Sequence, residues 1–341
     1  MKILSFGEIL LRLSSPGYTR LFQRDFLETS FCGGEANVAA SLAILGEESY
    51  FVTKVPNNEL GNAALNSLKY FGVDTSKTVF GKGRLGTYYL EKGASQRPSK
   101  VIYDREYSSI ALAESGDFDF DLIFKDVDWF HFTGINPALS DNIAHIILEA
   151  CKKAKERGII VSCDLNYRSK LWSSDCAINY MQKVMPFVDV CIANEEDAEK
   201  MLGIKAENSS YDNGELDTQG YVLVAKEICK RYDCKYVAIT LRESISASRN
   251  KWSAIIYGEN EKVFAQSKKY DIEIVDRVGG GDSFTAGIIY SIAHKKNLQE
   301  IIDFATASSC LKHTFEGDYN RTTLSEIEEL LKSNGNGRVQ R

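Results

Sequence analysis

Short apolar runs alternate with helix-like segments along most of this chain, and that alternation narrows the possible folds more than any other property. Ile3–Phe6, Tyr50–Val55, Trp129–Thr133, Ile159–Asp164, Val188–Ala193 and Tyr236–Thr240 read as strands. Between them the spacing predicts helices over Ala36–Leu45, Gly61–Tyr70, Asn142–Arg157, Glu195–Leu202 and Gly220–Tyr232, with two more after Asp282 and over Leu298–Lys312. Strands separated by helices cannot close tight hairpins. They form a mainly parallel sheet covered on both faces, which makes the fold class α/β.

Two stretches break the rhythm. Leu11–Phe31 and Leu85–Tyr107 alternate polar with apolar or aromatic residues, so they read as extra antiparallel strands of a small sheet over one edge. Residues Ala206–Thr218 are polar and loop-like, and Ser333–Arg341 reads as a frayed tail.

Composition excludes several functions. A net charge of −6 on 341 residues gives no general basic footprint for nucleic acid. Eight cysteines without a CxxC, and four histidines, argue against a zinc site or a disulfide framework and for a reducing cytoplasm. The opening MKILSFGEILLRLSS is interrupted by Glu8 and Arg12, as a leader peptide would not be, and no run reaches membrane-spanning length.

The stretch DRVGGGDSFTAG, Asp276 to Gly287, carries the chemistry. Glycines let backbone N–H groups turn inward, and a helix start just after them makes an anion site. An aspartate there would repel a phosphate that was only to be held. It fits if Asp282 takes a proton from a hydroxyl attacking that phosphate. The simpler account is a helix capped by Asp282 after a glycine turn. GKGRLG, Gly81 to Gly86, matches GxGxxG, but no helix opens at Gly86 and the other kinase motifs are absent. A hairpin is expected there.

Three further motifs stand where strands end or helices begin. FCGGEANVAASLAILG offers Gly33, Gly34 and the amide of Asn37, DLNYR runs from Asp164 to Arg168, and ANEEDAEKMLG holds Asn194 and three acids. Ligands of open α/β sheets gather at the carboxyl ends of the strands, so all of these can share one cleft.

GGEANVA and DRVGGGDSFTAG, in that order and separation, are similar to the two signatures of the ribokinase-like (PfkB) carbohydrate kinases, with GGGD where the family has GAGD. The resemblance covers essentially the whole chain. TYYLEKGASQRPSKVIYDREYSSIA, DLNYRSKLW and LKHTFEGDYNR resemble the 2-keto-3-deoxygluconate kinases within it. It implies a three-layer α/β/α domain over residues 1–332 with a small β-sheet lid from about 11–31 and 85–107. It also implies ATP, Mg2+ and phosphorylation of a primary hydroxyl, with Asp282 as base and Gly279, Gly280 and Gly281 as an anion hole.

By the same resemblance Gly34, Asn37, Tyr89, Tyr103 and Arg105 line the sugar site, with Arg168 and Asp318 around the substrate. Asn166, Arg168, Thr240, Arg242, Gly279, Gly281 and Ala307 fall to the nucleotide, with Lys312 near the base. Asn194 and Asp197 fall to the magnesium through water, although Asp197 stands where the family has glutamate, and Glu195 is a rival. The acids at Glu195–Asp197 also simply favour a helix N-terminus.

Physical reasons support part of this. Arg105, flanked by tyrosines, offers a planar fork suited to a carboxylate, the alternative being a surface arginine paired with Asp104 or Glu106. Tyr88 and Tyr89 alternate faces, so one of them points at the ligand. TLRESISASRN lacks the glycines related kinases carry there, leaving Arg242 for phosphates or Ser244 and Ser246 for the ribose. The exposed edge of a lid sheet favours a homo-oligomer through the lid. A kinase of fructose, ribose or a 5-keto-2-deoxygluconate-type sugar, and a non-catalytic sugar- or nucleotide-binding regulator, are the alternatives. Against the regulator stands the intact glycine loop with Asp282.

Overall fold

The computed structural model describes residues 1–206 and 217–332. Most of the polar 206–218 stretch and the whole 333–341 tail therefore lie outside the described residues.

Six strands lie side by side in parallel: Glu48–Val52, Lys2–Phe6, Trp129–Thr133, Ile160–Asp164, Val190–Ala193 and Tyr236–Ser246. Arg249–Gly258 turns back antiparallel on the last of them, and Val263–Gln266 and Tyr270–Glu273 pair along its outer edge.

Neighbouring residues on a strand enter opposite cores, which is why the strands are apolar almost throughout. Leu4, Phe130, Phe132 and Ile239 pack against the helices Asp141–Glu156 and Thr218–Tyr232. Ile3, Trp129, Ala238 and Ile256 pack on the other side, against Gly34–Ile44, Gly280–Ala293 and Leu298–Lys312. The leucine, isoleucine and phenylalanine side chains among them each contribute about 1.5–3 kcal/mol on burial. Three layers result.

The strand beginning at Tyr236 runs on to Ser246, past the expected end at Thr240. Past the buried Leu241 its extension, Arg242 to Ser246, is mostly polar and largely exposed, so its pairing with Arg249–Gly258 left no apolar signature. The helices Ser174–Val184 and Leu324–Lys332 were not anticipated either.

The lid is a four-stranded sheet in the order Glu28–Cys32, Leu10–Ser14, Gly86–Glu91, Lys100–Asp104. The expectation of an antiparallel sheet is corrected at its centre, where Leu10–Ser14 and Gly86–Glu91 pair in parallel. Each half is an antiparallel pair, and the two halves join through their first strands. The hairpin expected at GKGRLG is also corrected. Gly81 ends a short strand that pairs with Lys54–Pro56, Gly86 opens a lid strand, and Gly83 makes the crossing between them. A Cβ on Gly83 would stand 2.8 Å from the Ser109 Cα, and its φ of +107° suits glycine.

Candidate active site

Gly279 has φ 85° and caps the helix Gly280–Ala293 in the left-handed region. A Cβ there would lie 2.1 Å from the Asp318 carbonyl oxygen, so only glycine lets the two loops meet. The N–H groups of a helix's first turn lack partners within it, and here Gly279, Gly281 and Asp282 border a cleft while the Gly280 N–H donates to the Arg277 carbonyl at 3.4 Å. Asp282 sits in that turn.

The start of the helix Gly34–Ile44 abuts the same point. The Asn37 amide donates to Asp282 Oδ2 at 2.6 Å and accepts from the Gly33 N–H at 3.3 Å. A Cβ on Gly34 would be 3.7 Å from Asp282 Oδ1, so the backbone runs close by. The protein wall around Asp282 pushes its carboxyl up to about 7 by desolvation. The Asn37 bond and Arg168 act the other way, while Glu35 and Asp318 add repulsion. A carboxyl with that value can exchange a proton near neutrality.

Asp282 belongs to two cavities. An inner chamber of about 100 Å³ is lined by Glu8, Gly34, Asn37, Tyr88, Arg105 and Asp318 among others. An outer cleft of about 470 Å³ runs over the carboxyl ends of the central strands, past Asn194, Thr240, Arg242, Gly279 and Gly281. Tyr103, Asn166, Arg168 and Asp282 line both. Arg168 donates to the Tyr167 carbonyl at 2.9 Å and forms no ion pair among the described residues.

Several expected residues stand elsewhere. Tyr89 faces away from the chamber and packs on Phe22, and Tyr88 takes its place, its hydroxyl donating to Asp318 Oδ2 at 2.7 Å. The two-residue period of a strand allows only one of them inside. Ala307 is fully buried in the core behind the helix Gly280–Ala293, not in the cleft. Lys312 is buried too, its ammonium donating to the Asp276 carbonyl at 3.3 Å. His313 lines the cleft instead, kept neutral chiefly by burial, which lowers its pKa to about 4. Ser244 and Ser246 lie outside the lining.

Arg105 pairs with neither Asp104 nor Glu106. Its Nε and one terminal nitrogen donate to Glu8 Oε2, the Nε at 2.8 Å. Nη1 is left without a partner among the described residues. Both oxygens of Asp197 accept backbone N–H groups, from Tyr167 and Asn194, each at 2.9 Å. Glu195 pairs with Arg242 at 3.3 Å. No group of three acidic, histidine or cysteine side chains able to cage a metal occurs among the described residues. Asp164 is the carboxylate the motif reading passed over. It lines the cleft, and burial together with Asp197 and Asp282 raises its pKa well above the usual range.

Sequence reasoning also missed Arg12, Asp276 and Glu8. Arg12, on a lid strand, bridges Asp276 and Asp318, the Asp276 contact at 2.7 Å. Asp276 Oδ1 in turn accepts the Val278 N–H at 3.1 Å. The signal was available: Arg12 is the one charge among the leucines of LLRLS and shares the register of Leu10.

The pfkB family carbohydrate kinase model matches residues 2–324. A Haloferax volcanii protein named 2-dehydro-3-deoxygalactonokinase is 30% identical over 98% of both chains. The crystal structure of 2-dehydro-3-deoxygluconokinase from Thermotoga maritima superposes with a TM-score of 0.93 at 48% identity, over 98% of this chain and 100% of that one. An E. coli putative ribokinase II solved with ATP and Mg2+ shares the fold, at a TM-score of 0.78 and 20% identity, over 97% of this chain and 99% of that one. A family model spanning nearly the whole chain and a relative 30% identical over 98% of it leave one conclusion: this chain is a member of the pfkB family of carbohydrate kinases.

Proposed function

We propose that the enzyme transfers the γ-phosphoryl group of ATP to the primary hydroxyl of 2-keto-3-deoxygluconate, giving the 6-phosphate. One observation carries this reading: a single carboxylate, Asp282, belongs to both cavities and stands at the N-terminus of the glycine-run helix. The acceptor sugar occupies the inner chamber and the nucleotide the outer cleft. Asp282 accepts the hydroxyl proton as the oxygen forms its bond to phosphorus, the bond to the β-phosphate oxygen breaks, and ADP leaves. The N–H groups of Gly279 to Asp282 stabilise charge on the transferred group, with Arg168 at the junction.

Mg2+, when bound, would neutralise charge on the nucleotide phosphates, and it keeps most of its waters. The residues fit that mode. Burial, followed by repulsion from Asp197 and Asp282, disfavours ionised Asp164, and a nearby cation would offset both. Asp197, with both oxygens engaged, positions the Asn194 turn and acts through water. In the chamber, the unpartnered Nη1 of Arg105 suits the substrate carboxylate, while Asn37 and Asp318 hold hydroxyls.

The relatives named for 2-dehydro-3-deoxy sugar acids support an acidic acceptor. The Haloferax name favours a second reading, the galactonate epimer at C4. An ATP-consumption assay over both sugar acids, fructose and ribose tests the assignment. The expected result is a kcat/KM for one of the acids at least about tenfold above either neutral sugar. Preference for fructose or ribose overturns it.

A further inference from the structure

The wall of the outer cleft made by Tyr236–Ser246 and Arg249–Gly258 contains no glycine between Tyr236 and Tyr257. Its residues pair across the two strands with one irregularity between Ser244 and Ser246, and no glycine turn gathers successive N–H groups into a phosphate cradle. Side chains are the anion-binding groups this wall offers. Two arginines line the cleft there, Arg242 and Arg277.

Their situations differ. Arg242 is exposed and already faces Glu195. Arg277 is half-buried and forms no ion pair among the described residues. Its sequence neighbour Asp276 is taken, accepting from Arg12, Val278 N–H and Gly317 N–H. Arg277 Nη2 donates to the Ala247 carbonyl at 2.7 Å, and its buried Nε has no acceptor. A half-buried guanidinium beside another arginine, with its nearest carboxylate already engaged, is favoured by an arriving anion. Burial and Arg242 work against its charge, and Asp276 offsets them only in part. Arg277 stands two residues before Gly279, at the mouth of the glycine loop.

We propose that Arg277 is a phosphate-binding residue for a nucleoside di- or triphosphate, clamping it from the hairpin side together with Arg242. This rests on the reading that the outer cleft takes the nucleotide. The Ala247 bond fixes the guanidinium in place. Ala247 N–H also donates to the Ser95 carbonyl of the lid at 2.8 Å, so the clamp is braced against the lid.

The rival account is that Arg277 only ties the hairpin tip to the glycine loop. Dissociation constants of adenosine and ADP for the wild type and Arg277→Met separate the two. A phosphate contact predicts that ADP binding weakens about ten- to a hundredfold while adenosine changes less than about twofold. Arg277→Lys, which keeps a charge, recovers part of the ADP loss. Equal weakening for both ligands, or unchanged ADP binding, overturns the proposal. If Arg277→Met does not fold, Arg277→Gln carries the same comparison. A wild type that binds no ADP overturns the nucleotide reading itself, and is distinct from a wild type that binds ADP no better than its variants.

Discussion

The inner chamber and the outer cleft meet at Asp282 but are built differently. Side chains in the chamber and directly behind it are tied to one another across the chain: Arg12, behind the wall, to Asp276 and Asp318, and, in the wall, Tyr88 to Asp318, Asn37 to Asp282, Arg105 to Glu8. Its exceptions, Glu8 Oε1, Arg12 Nε and Arg105 Nη1, sit on groups whose other atoms are paired. In the cleft, Asn250 Oδ1, Trp252 Nε1 and Arg277 Nε are buried without partners among the described residues. The chamber is shaped before its ligand comes, whereas the cleft still lacks contacts that a ligand supplies. Substitutions in the chamber should therefore cost stability as well as binding, and those in the cleft mainly binding.

Asp282→Asn gives the largest effect, because it touches the junction. Turnover should fall by about two to four powers of ten while ADP affinity changes little. Wild-type kcat/KM should decline about tenfold per pH unit below about 7, where Asp282 becomes protonated. The stability effect has the opposite sign. The folded-state value lies above the ordinary 3.8, so ionised Asp282 costs stability as pH rises. Melting curves should show Asp282→Asn gaining more over wild type in alkali than in mild acid. Near-normal turnover would remove Asp282 from the chemistry.

Arg12→Met tests the chamber's internal ties. It leaves two buried carboxylates without their cation and should cost about 3–5 kcal/mol in urea unfolding. Arg277→Met should cost about 1 kcal/mol or less, the worth of its bond to Ala247. Equal losses would erase the distinction between the two regions.

A smaller effect is expected at Arg105. Arg105→Met should raise KM for the sugar acid by about one to two powers of ten and leave fructose nearly unchanged. Because Glu8 loses its partner too, Glu8→Gln with Arg105→Met separates the lost substrate contact from the stranded carboxylate. If fructose suffers equally in the double variant, Arg105 does not read the acid.

Local patterns made the parallel sheet, its helices and the glycine-run helix legible, and the order of the motifs identified the cleft. Helix Leu298–Lys312 and strand Trp129–Thr133 match their expected limits, because turn residues and long apolar periods mark both. The lid's central register, the Tyr88 orientation and the long hairpin were not legible. A lid strand carries a two-residue period but no mark of which face meets the substrate, and the hairpin extension is too polar to announce itself.

Residue types near the sequence motifs thus determined what chemistry was available: an aspartate after three glycines, an amide after two, arginines beside tyrosines. Tertiary structure alone decided which charges remain free to act. Arg12 and Asp276 lie 264 residues apart and neutralise each other, and Arg105 reaches Glu8 across 97. That pairing leaves Arg168 and Arg277 as the uncommitted cations among those described around the site. Coulomb energy depends on distance in space and on the water excluded between the charges, and neither is written along the chain.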